Sequence, residues 1–287
     1  MIALFDSGIG GLTVLKPILK ALPEYDYLYL GDSGRSPYGS RSPEVIKRFA
    51  EEAVEYLFNR GVTLIIFACN TASAASLRHV QQKYLKGAKE KDRKILGVLI
   101  PVAEEVAKTT KTGRVGVVGT KATISSKSYD AEIHKLNPQI KVYSQSCPLL
   151  VPFIEEGWQE KPEAKSILKK YLKPIKSCNI DALILGCTHY PMMHKEFQKY
   201  MGKKVKVFDT GEIVAEKLKD YLQRHPEIES KLSKASAIRR VGSAPRAHEP
   251  AAQGKRLFLT TDDPKKFQLF AEKYLGMKIK TPEKISL

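Results

Sequence analysis

Short apolar runs alternate with segments of helical periodicity along most of this chain of 287 residues. Apolar runs bounded by turn-forming residues are typical of buried strands, and apolar positions three and four residues apart are typical of helices that cover a sheet. We therefore predict the α/β class, with mainly parallel sheets flanked by helices. The predicted strands cover residues 2–6, 25–31, 62–68, 95–100, 114–119, 140–145, 181–186, 204–209 and 256–261.

The clearest predicted helix covers residues 43–60. Ser42 is suited to cap its first turn, Pro43 to occupy the first helical position, and Gly61 to end it. These signals leave residues 31–42 as a loop between a strand and this helix. The apolar face of the helix consists of Val45, Ile46, Phe49, Ala53, Tyr56 and Leu57.

Two charged stretches predict surface connections. Residues 86–94 form a short charged loop, whereas residues 229–254 are rich in Ala, Ser, Pro, Gly and basic residues and contain no Phe, Tyr or Trp. The second stretch is long for a connection in a compact domain. We therefore expect a flexible basic insertion there, either disordered or functional.

The chain is strongly basic, with 48 Lys and Arg against 31 Asp and Glu, a formal net charge of +17. Such a charge attracts anions: nucleic acid, an acidic membrane surface or an acidic small substrate. The lysines are scattered along helix faces rather than gathered with aromatic residues. This distribution favours a solvated surface and makes nucleic acid the weaker alternative.

Apolar runs and cysteines bear on the location of the protein. The longest apolar run, at residues 62–68, is far shorter than the roughly 18 to 20 residues of a membrane span. The four cysteines have no framework spacing, and no secretory signal precedes them. We therefore expect a soluble cytoplasmic protein with free thiols and no membrane partner.

Polar residues gather where predicted strands end, which is where open α/β sheets bind ligands. Residues 6–11 read DSGIGG and Asp32 follows the next strand, as in dinucleotide-binding folds. However, Thr13 stands where that fingerprint requires a third glycine. Tyr38 and Gly39 could present a hydroxyl and an N–H group to a carboxylate, or could simply form a turn before the helix.

Two stretches share one pattern: LIIFACNTAS from residue 64 and DALILGCTHY from residue 181. Each has an apolar strand, a small residue, a cysteine and a polar turn, so Cys69 and Cys187 stand at equivalent strand ends. Alone, each cysteine is typical of a core position. As a pair, and near helix starts that would lower a thiol pKa, they favour proton transfer, with one thiolate removing a proton while the other thiol donates one.

Other uses of the two thiols fit less well. His189 and His194 follow Cys187, but their spacing does not place both imidazoles on one helical face, so we expect no metal site. A reducing compartment disfavours a disulfide. Nucleophilic catalysis would need only one thiol with a base.

Hydroxyl groups follow the fifth predicted strand at Thr120, Thr123, Ser125 and Ser126. They could cap a helix or hold a carboxylate and an ammonium group. Glu155 lies near the end of a short predicted helix, where its carboxylate opposes the helix dipole. Either another group holds it there or it is solvated.

Six motifs follow one another in this order along the chain: FDSGIGGLTV, GDSGRSPYGSR, ACNTASA, GTKATISSKSY, CPLLVPFIEEG and GCTHYP. Together they resemble the glutamate racemases of the cofactor-independent aspartate/glutamate racemase family. The resemblance covers about residues 2–215 and resumes at FLTTDDPKKFQLFAEKYLG. The two cysteine motifs, in the right order and separation, are its most specific part.

The resemblance implies interconversion of L- and D-glutamate, supplying D-glutamate for peptidoglycan without pyridoxal phosphate, any other cofactor or a metal. By similarity, Cys69 exchanges the α-proton of D-glutamate and Cys187 that of L-glutamate. Auxiliary acid/base or orienting groups of the family fall on Asp6, Asp32, Glu155 and His189. Its substrate-contacting motifs fall on Asp6, Ser7, Tyr38, Gly39, Asn70, Thr71, Thr120, Thr123, Thr188 and His189.

The resemblance also implies two similar α/β domains with the active site in the cleft between them. Residues 1–97 and 210–287 would form the first domain and residues 98–209 the second, so that each contributes one cysteine. Ser33 and Gly34 stand where the family more often has Thr-Ala. That departure loosens a loop but removes no reacting group.

Three alternatives stay open from the sequence. The same proton chemistry could act on another amino acid, such as aspartate. The basic surface could bind nucleic acid or a DNA-processing partner. The chain could also form a homodimer.

Overall fold

The structure is a computed structural model that describes residues 1–87, 92–235 and 253–287. Its strands are β1 Ile2–Asp6, β2 Tyr27–Gly31, β3 Leu64–Phe67, β4 Lys94–Gly97, β5 Arg114–Gly119, β6 Lys141–Ser146, β7 Ala182–Gly186, β8 Lys206–Phe208, β9 Arg256–Thr260 and β10 Glu283–Lys284. Its helices are α1 Leu12–Ala21, α2 Pro43–Asn59, α3 Asn70–Tyr84, α4 Leu99–Thr109, α5 Lys121–Ser125, α6 Ser128–Leu136, α7 Leu150–Glu155, α8 Pro162–Lys176, α9 His194–Met201, α10 Thr210–Arg224, α11 Pro226–Glu229 and α12 Pro264–Leu275.

The strands form two sheets. One has six strands in the order β10-β9-β2-β1-β3-β4, and the other has four in the order β6-β5-β7-β8. Every strand pair is parallel. The central strands β1, β2, β3 and β7 are buried along their whole length because helices cover both faces, which explains their continuous apolar runs. The predicted α/β class is confirmed.

Helix α2 begins and ends as its sequence signals predict. The Val45 N–H donates to Ser42 Oγ at 3.5 Å, so Ser42 caps the helix. Gly61 follows the helix with a φ of +75°, a conformation that costs a glycine little. The two-residue strand β10 was not among the predicted strands, since two residues carry no detectable periodicity.

The described ends of the predicted insertion are hydrogen-bonded to the turn that precedes β2. The Ala235 N–H donates to Glu24 O at 2.8 Å, and the Gly254 N–H donates to Pro23 O at 3.0 Å. Tyr25 and Lys234 form an isolated antiparallel bridge. The two ends of the segment therefore leave the fold side by side. The prediction for residues 236–252 lies outside the described residues.

Strand register brings particular residues to the carboxyl edges of the two sheets. In the first sheet Asp6 pairs with Gly31, and Phe5 pairs with Phe67. In the second, Gly119 pairs with Gly186. In each sheet the chain passes from one central strand, β1 or β5, to a neighbour on one side and later to a neighbour on the other side, and this reversal opens a crevice at the carboxyl edge. The cysteine loops leave from these edges.

Candidate active site

Cys69 and Cys187 meet at one cavity. Cys69 comes two residues after β3 and Cys187 directly after β7, and both side chains are buried. The cavity has a volume of about 20 Å³, room for about one water molecule. Its lining comes from loops of both sheets and includes Ser7, Ser36, Tyr38, Gly39, Cys69, Asn70, Thr71, Thr120, Cys187, Thr188 and His189.

Cys69 caps helix α3, yet the expected lowering of its pKa does not occur. The Ala72 N–H donates to Cys69 Sγ at 3.4 Å, and Sγ lies 3.5 Å from Ser7 Oγ. Burial raises the pKa of the Cys69 thiol to about 12, and the negative charge of Asp6 adds to the rise. These effects outweigh the helix start because the sulfur is fully removed from water.

Cys187 stands beside a buried histidine. His189 Nδ1 lies 3.9 Å from Cys187 Sγ, and His189 Nε2 lies 3.0 Å from Glu155 Oε1. Burial alone would lower the pKa of His189, but the hydrogen bonds to Cys187 and Glu155 outweigh it and raise the pKa to about 10. His189 is therefore a cation at neutral pH, and it connects the thiol to a carboxylate.

Glu155 is the last residue of helix α7 and is held there by this histidine. Burial would raise the pKa of Glu155, but the hydrogen bond and charge of His189 lower it overall. The carboxylate that opposes the dipole of its own helix is thus compensated from another loop.

Asp6 is the last residue of β1 and lies behind Thr188 of the cavity lining. It is fully buried, accepts a hydrogen bond from the Gly8 N–H at 2.9 Å, and lies 3.3 Å from the donating hydroxyl of Thr188. Burial raises the pKa of Asp6, and the charge of His189 opposes the rise. The Thr13 hydroxyl in α1 also donates to Thr188 O at 2.9 Å, so two contacts tie the Thr188 loop to β1 and α1.

Three threonine hydroxyls form a triangle across the cleft. Thr71 Oγ1 lies 2.9 Å from Thr120 Oγ1 and 3.2 Å from Thr123 Oγ1, and the last two atoms are 3.0 Å apart. Thr120 also caps α5 by accepting from the Thr123 N–H at 3.2 Å. The Thr120 side chain therefore both caps a helix and lines the cavity, two roles that the sequence left as alternatives.

The tyrosine of the loop after β2 uses its hydroxyl elsewhere. Tyr38 donates to the buried carboxylate of Asp32, and burial together with that charge raises the pKa of Tyr38. Asp32 also accepts from Arg35 Nε at 2.7 Å and from the Thr261 hydroxyl at 2.8 Å. Tyr38 thus lines the cavity without a free hydroxyl proton, and Asp32 fixes the loop.

The comparisons with known proteins agree with this arrangement. Residues 12–218 match the Asp/Glu/Hydantoin racemase family model. The chain is 43% identical over 222 residues to a glutamate racemase from Geobacter metallireducens, covering 76% of this chain and 80% of that one. The chain belongs to the Asp/Glu/Hydantoin racemase family. It is also 34% identical over 286 residues to a glutamate racemase from Syntrophus aciditrophicus, covering 100% and 96%.

Solved structures of this racemase family share the two-sheet fold. A glutamate racemase isoform from Bacillus anthracis has a TM-score of 0.86 at 33% identity, covering 100% of this chain and 97% of that one. A glutamate racemase from Francisella tularensis in complex with D-glutamate has a TM-score of 0.83 at 34% identity, covering 99% and 97%.

Most residues that the sequence predicted for the site of this racemase lie together. Of the predicted set, the cavity lining lacks Asp6, Asp32, Thr123 and Glu155 among the described residues. Asp6, Thr123 and Glu155 stand directly behind lining residues, in contact with Thr188, Thr71 and His189 respectively. Asp32 instead accepts a hydrogen bond from the hydroxyl of Tyr38, which lines the cavity.

Sequence reasoning missed Tyr129, the last residue of the GTKATISSKSY motif. Its hydroxyl donates to Asn70 Oδ1 at 2.7 Å in the buried site. The Asn70 Nδ2 atom is buried with no hydrogen-bond partner among the described residues. A buried donor without a partner costs roughly 1 to 3 kcal/mol, which a bound acceptor would recover. The signal in the sequence was an aromatic residue at a helix start beside the hydroxyl cluster.

The described part of the chain has neither a cluster of metal ligands nor a helix suited to span a membrane. Within the described residues, no group of three or more His, Cys, Asp or Glu side chains is arranged so that it could hold a metal ion. His194 lies 3.3 Å from Val207 O through its Nε2 atom. None of the helices in residues 1–87, 92–235 and 253–287 has the length and apolarity that a membrane crossing requires.

Proposed function

We propose that this racemase interconverts L- and D-glutamate by proton transfer between the substrate α-carbon and two thiols. One observation carries the proposal: Cys69 and Cys187 come from different sheets and line the same buried cavity. A base and an acid on opposite sides of one carbon atom invert its configuration when the first removes a proton and the second returns one.

The chemical balance is simple. Starting from L-glutamate, the Cys187 thiolate takes the α-proton, so a C–H bond breaks and an S–H bond forms. The Cys69 thiol then gives its proton to the opposite face of the carbanion-like centre, which leaves Cys69 as thiolate. D-glutamate reacts by the reverse path, with Cys69 as the base. No redox step is required.

The surroundings of the two thiols differ. Burial and the Asp6 charge raise the pKa of Cys69, so it holds its proton. Cys187 has a different neighbour, because His189 Nδ1 lies 3.9 Å from its sulfur. His189 therefore lies between the Cys187 thiol and the carboxylate of Glu155.

The lining fits a substrate with two carboxylates. Thr71, Thr120 and the free NH₂ of Asn70 offer hydrogen-bond donors, and carboxylates are held by such donors. Asp6 lies just behind Thr188, where its negative charge suits the substrate ammonium group. The relatives described above are glutamate racemases, which favours glutamate over aspartate.

The product has a defined use within this proposal. D-glutamate is a component of peptidoglycan, so we place the reaction in cell-wall precursor synthesis in the cytoplasm. Formation of a homodimer, and nucleic-acid binding as the weaker alternative, stay untested possibilities from the sequence.

Circular dichroism on each pure enantiomer tests the function. We expect L- and D-glutamate to lose their signals at rates that lead to the same racemic end point, with no cofactor added. In D₂O, the product formed from either enantiomer should carry deuterium at the α-carbon. If glutamate keeps its signal while aspartate loses its own, the substrate assignment is wrong.

A further inference from the structure

Tyr129 links the two halves of the site through one hydrogen bond. It stands in α6, between strands β5 and β6 of the four-stranded sheet, whereas Asn70 follows β3 of the six-stranded sheet. The Tyr129 hydroxyl donates to Asn70 Oδ1 at 2.7 Å, and both residues are buried.

This hydrogen bond sets the direction of the Asn70 amide. An amide has one oxygen that accepts and one NH₂ group that donates. Because Tyr129 engages the oxygen, the NH₂ group is turned to the other side, where it has no partner among the described residues. Asn70 lines the cavity next to Cys69. A buried donor at a ligand cavity calls for an acceptor from the ligand.

The tyrosine itself has little freedom to move. A Cβ atom added to Gly186 would lie 3.0 Å from Tyr129 Cε2, so the ring packs directly on the backbone before Cys187. The start of α6 makes a second contact with α3, because the Ser128 hydroxyl donates to Ala74 O at 3.0 Å. The start of α6 is therefore fixed against α3 at two places.

We propose that Tyr129 is a positioning residue. It orients the Asn70 amide so that its NH₂ group donates a hydrogen bond to a carboxylate of the substrate. The inference rests on the proposed function and adds a specific device to it. Since the two partners come from different sheets, the hydrogen bond exists only when the two halves are together. Closing of the cleft thus completes the binding site.

The test replaces Tyr129 by Phe, which keeps the ring and removes the hydroxyl. We expect the KM for both glutamate enantiomers to rise about tenfold while kcat changes less than about threefold, because a lost binding contact acts before the chemical step. The affinity for D-glutamate measured by calorimetry should fall by the same factor. The matched control is Tyr27→Phe, which removes a buried hydroxyl that donates to Leu22 O at 2.9 Å away from the cavity. It should keep the wild-type KM.

A double variant separates positioning from general stability. If Tyr129 acts through Asn70, then Asn70→Ala with Tyr129→Phe should have the same KM as Asn70→Ala alone. If the two effects multiply, or if Tyr129→Phe keeps the wild-type KM, the inference is overturned. Should Tyr129→Phe not fold, Asn70→Asp carries the test, since it keeps the acceptor for Tyr129 and loses the donor. Undiminished D-glutamate affinity in that variant also overturns the inference.

The same assay separates a failure of the proposed function from a failure of the positioning role of Tyr129. A wild-type enzyme that does not racemise glutamate contradicts the proposed function, and this inference with it. An active wild type with an unaffected Tyr129→Phe variant contradicts only the role of Tyr129.

Discussion

At the residue scale, the two thiols differ in their neighbours rather than in their position on the fold. Cys69 lies beside Ser7 and feels the charge of Asp6, whereas Cys187 lies beside His189. The carboxylate of Asp6 contributes to the raised pKa of Cys69, whereas an imidazole lies within hydrogen-bond distance of the Cys187 sulfur. Two groups in opposite protonation states are what a two-base inversion requires.

The first prediction concerns the thiols. Cys69→Ser and Cys187→Ser should each lower the racemisation rate by about 10²- to 10⁴-fold, because a serine hydroxyl is a far weaker acid and base. The rates follow from circular dichroism with either enantiomer. Cys178→Ser is the control, since the Cys178 thiol donates to Pro174 O in α8, and it should be fully active. Full activity of either of the first two variants would contradict the mechanism.

The second prediction concerns the pH dependence of stability. The folded-state pKa of His189 is raised from 6.5 to about 10, so its contribution is complete below about pH 6.5 and is lost as the pH rises through about 10. Glu155→Gln removes one cause of that rise and should move the loss to lower pH. Thermal melts at pH 6, 8 and 10 measure the difference from wild type, which should shrink at pH 10.

A surface pair provides the control for this second prediction. Glu51 contacts His79 on the protein surface, and Glu51→Gln should leave the shape of the pH curve as in wild type. A Glu155→Gln curve parallel to the wild-type curve over the whole range would contradict the contribution of Glu155 to the raised pKa of His189.

At the element scale, the site depends on where strands stop and helices start. Cys69 and Thr120 each cap the helix that follows a central strand, so residues that end one element also face the cavity. Close approaches hold these elements in place. A Cβ atom added to Gly211, in the first turn of α10, would lie 2.3 Å from Thr13 O in α1.

The third prediction follows from that close approach. Gly211→Ala should lower the free energy of unfolding by about 1 to 3 kcal/mol, because the added methyl group meets a backbone atom that cannot rotate away. Chemical denaturation gives the value. Glu212→Ala introduces alanine at the exposed neighbouring position of the same helical turn. It should lower the free energy of unfolding by less than about 1 kcal/mol. Equal costs for the two variants would contradict the packing argument.

At the scale of the whole molecule, the structure describes a closed cleft. A cavity of about 20 Å³ holds roughly one water molecule and is too small for an amino acid. Substrate entry therefore requires this cavity to widen, and closure around the substrate then excludes water from the carbanion-like centre. Gly39 marks the contact, because a Cβ atom there would lie 2.6 Å from Thr120 Cβ of the other sheet's loop.

The fourth prediction tests closure. Gly39→Ala should lower kcat/KM for glutamate about tenfold or more with little change in Tm, because the added methyl group obstructs a contact between halves rather than the core of either. Steady-state kinetics and a thermal melt give the two values. Ser40→Ala, at the exposed neighbouring position, should behave as wild type. Wild-type kinetics for Gly39→Ala would show that closure does not need this contact.

The sequence by itself determined the class of fold and the chemical type of the site. Periodicity indicated nine of the strands, and the repeated strand-cysteine-turn pattern identified Cys69 and Cys187, because both signals are local. The six motifs that resemble the racemase family identified the polar residues that lie around these two cysteines. The boundaries of the two domains, at residues 97 and 209, stay predictions that came from the resemblance.

Only the tertiary structure decided how the polar groups pair. The sequence left open whether the Tyr38 hydroxyl faces a carboxylate of the substrate or stands in a turn, and folding brings Asp32 to that hydroxyl. The helix start at Cys69 indicated a lowered pKa, but burial reverses the direction. The contact of Tyr129 with Asn70 joins residues 59 positions apart. Burial and partner choice depend on atoms from distant parts of the chain, and a local pattern contains no information about them.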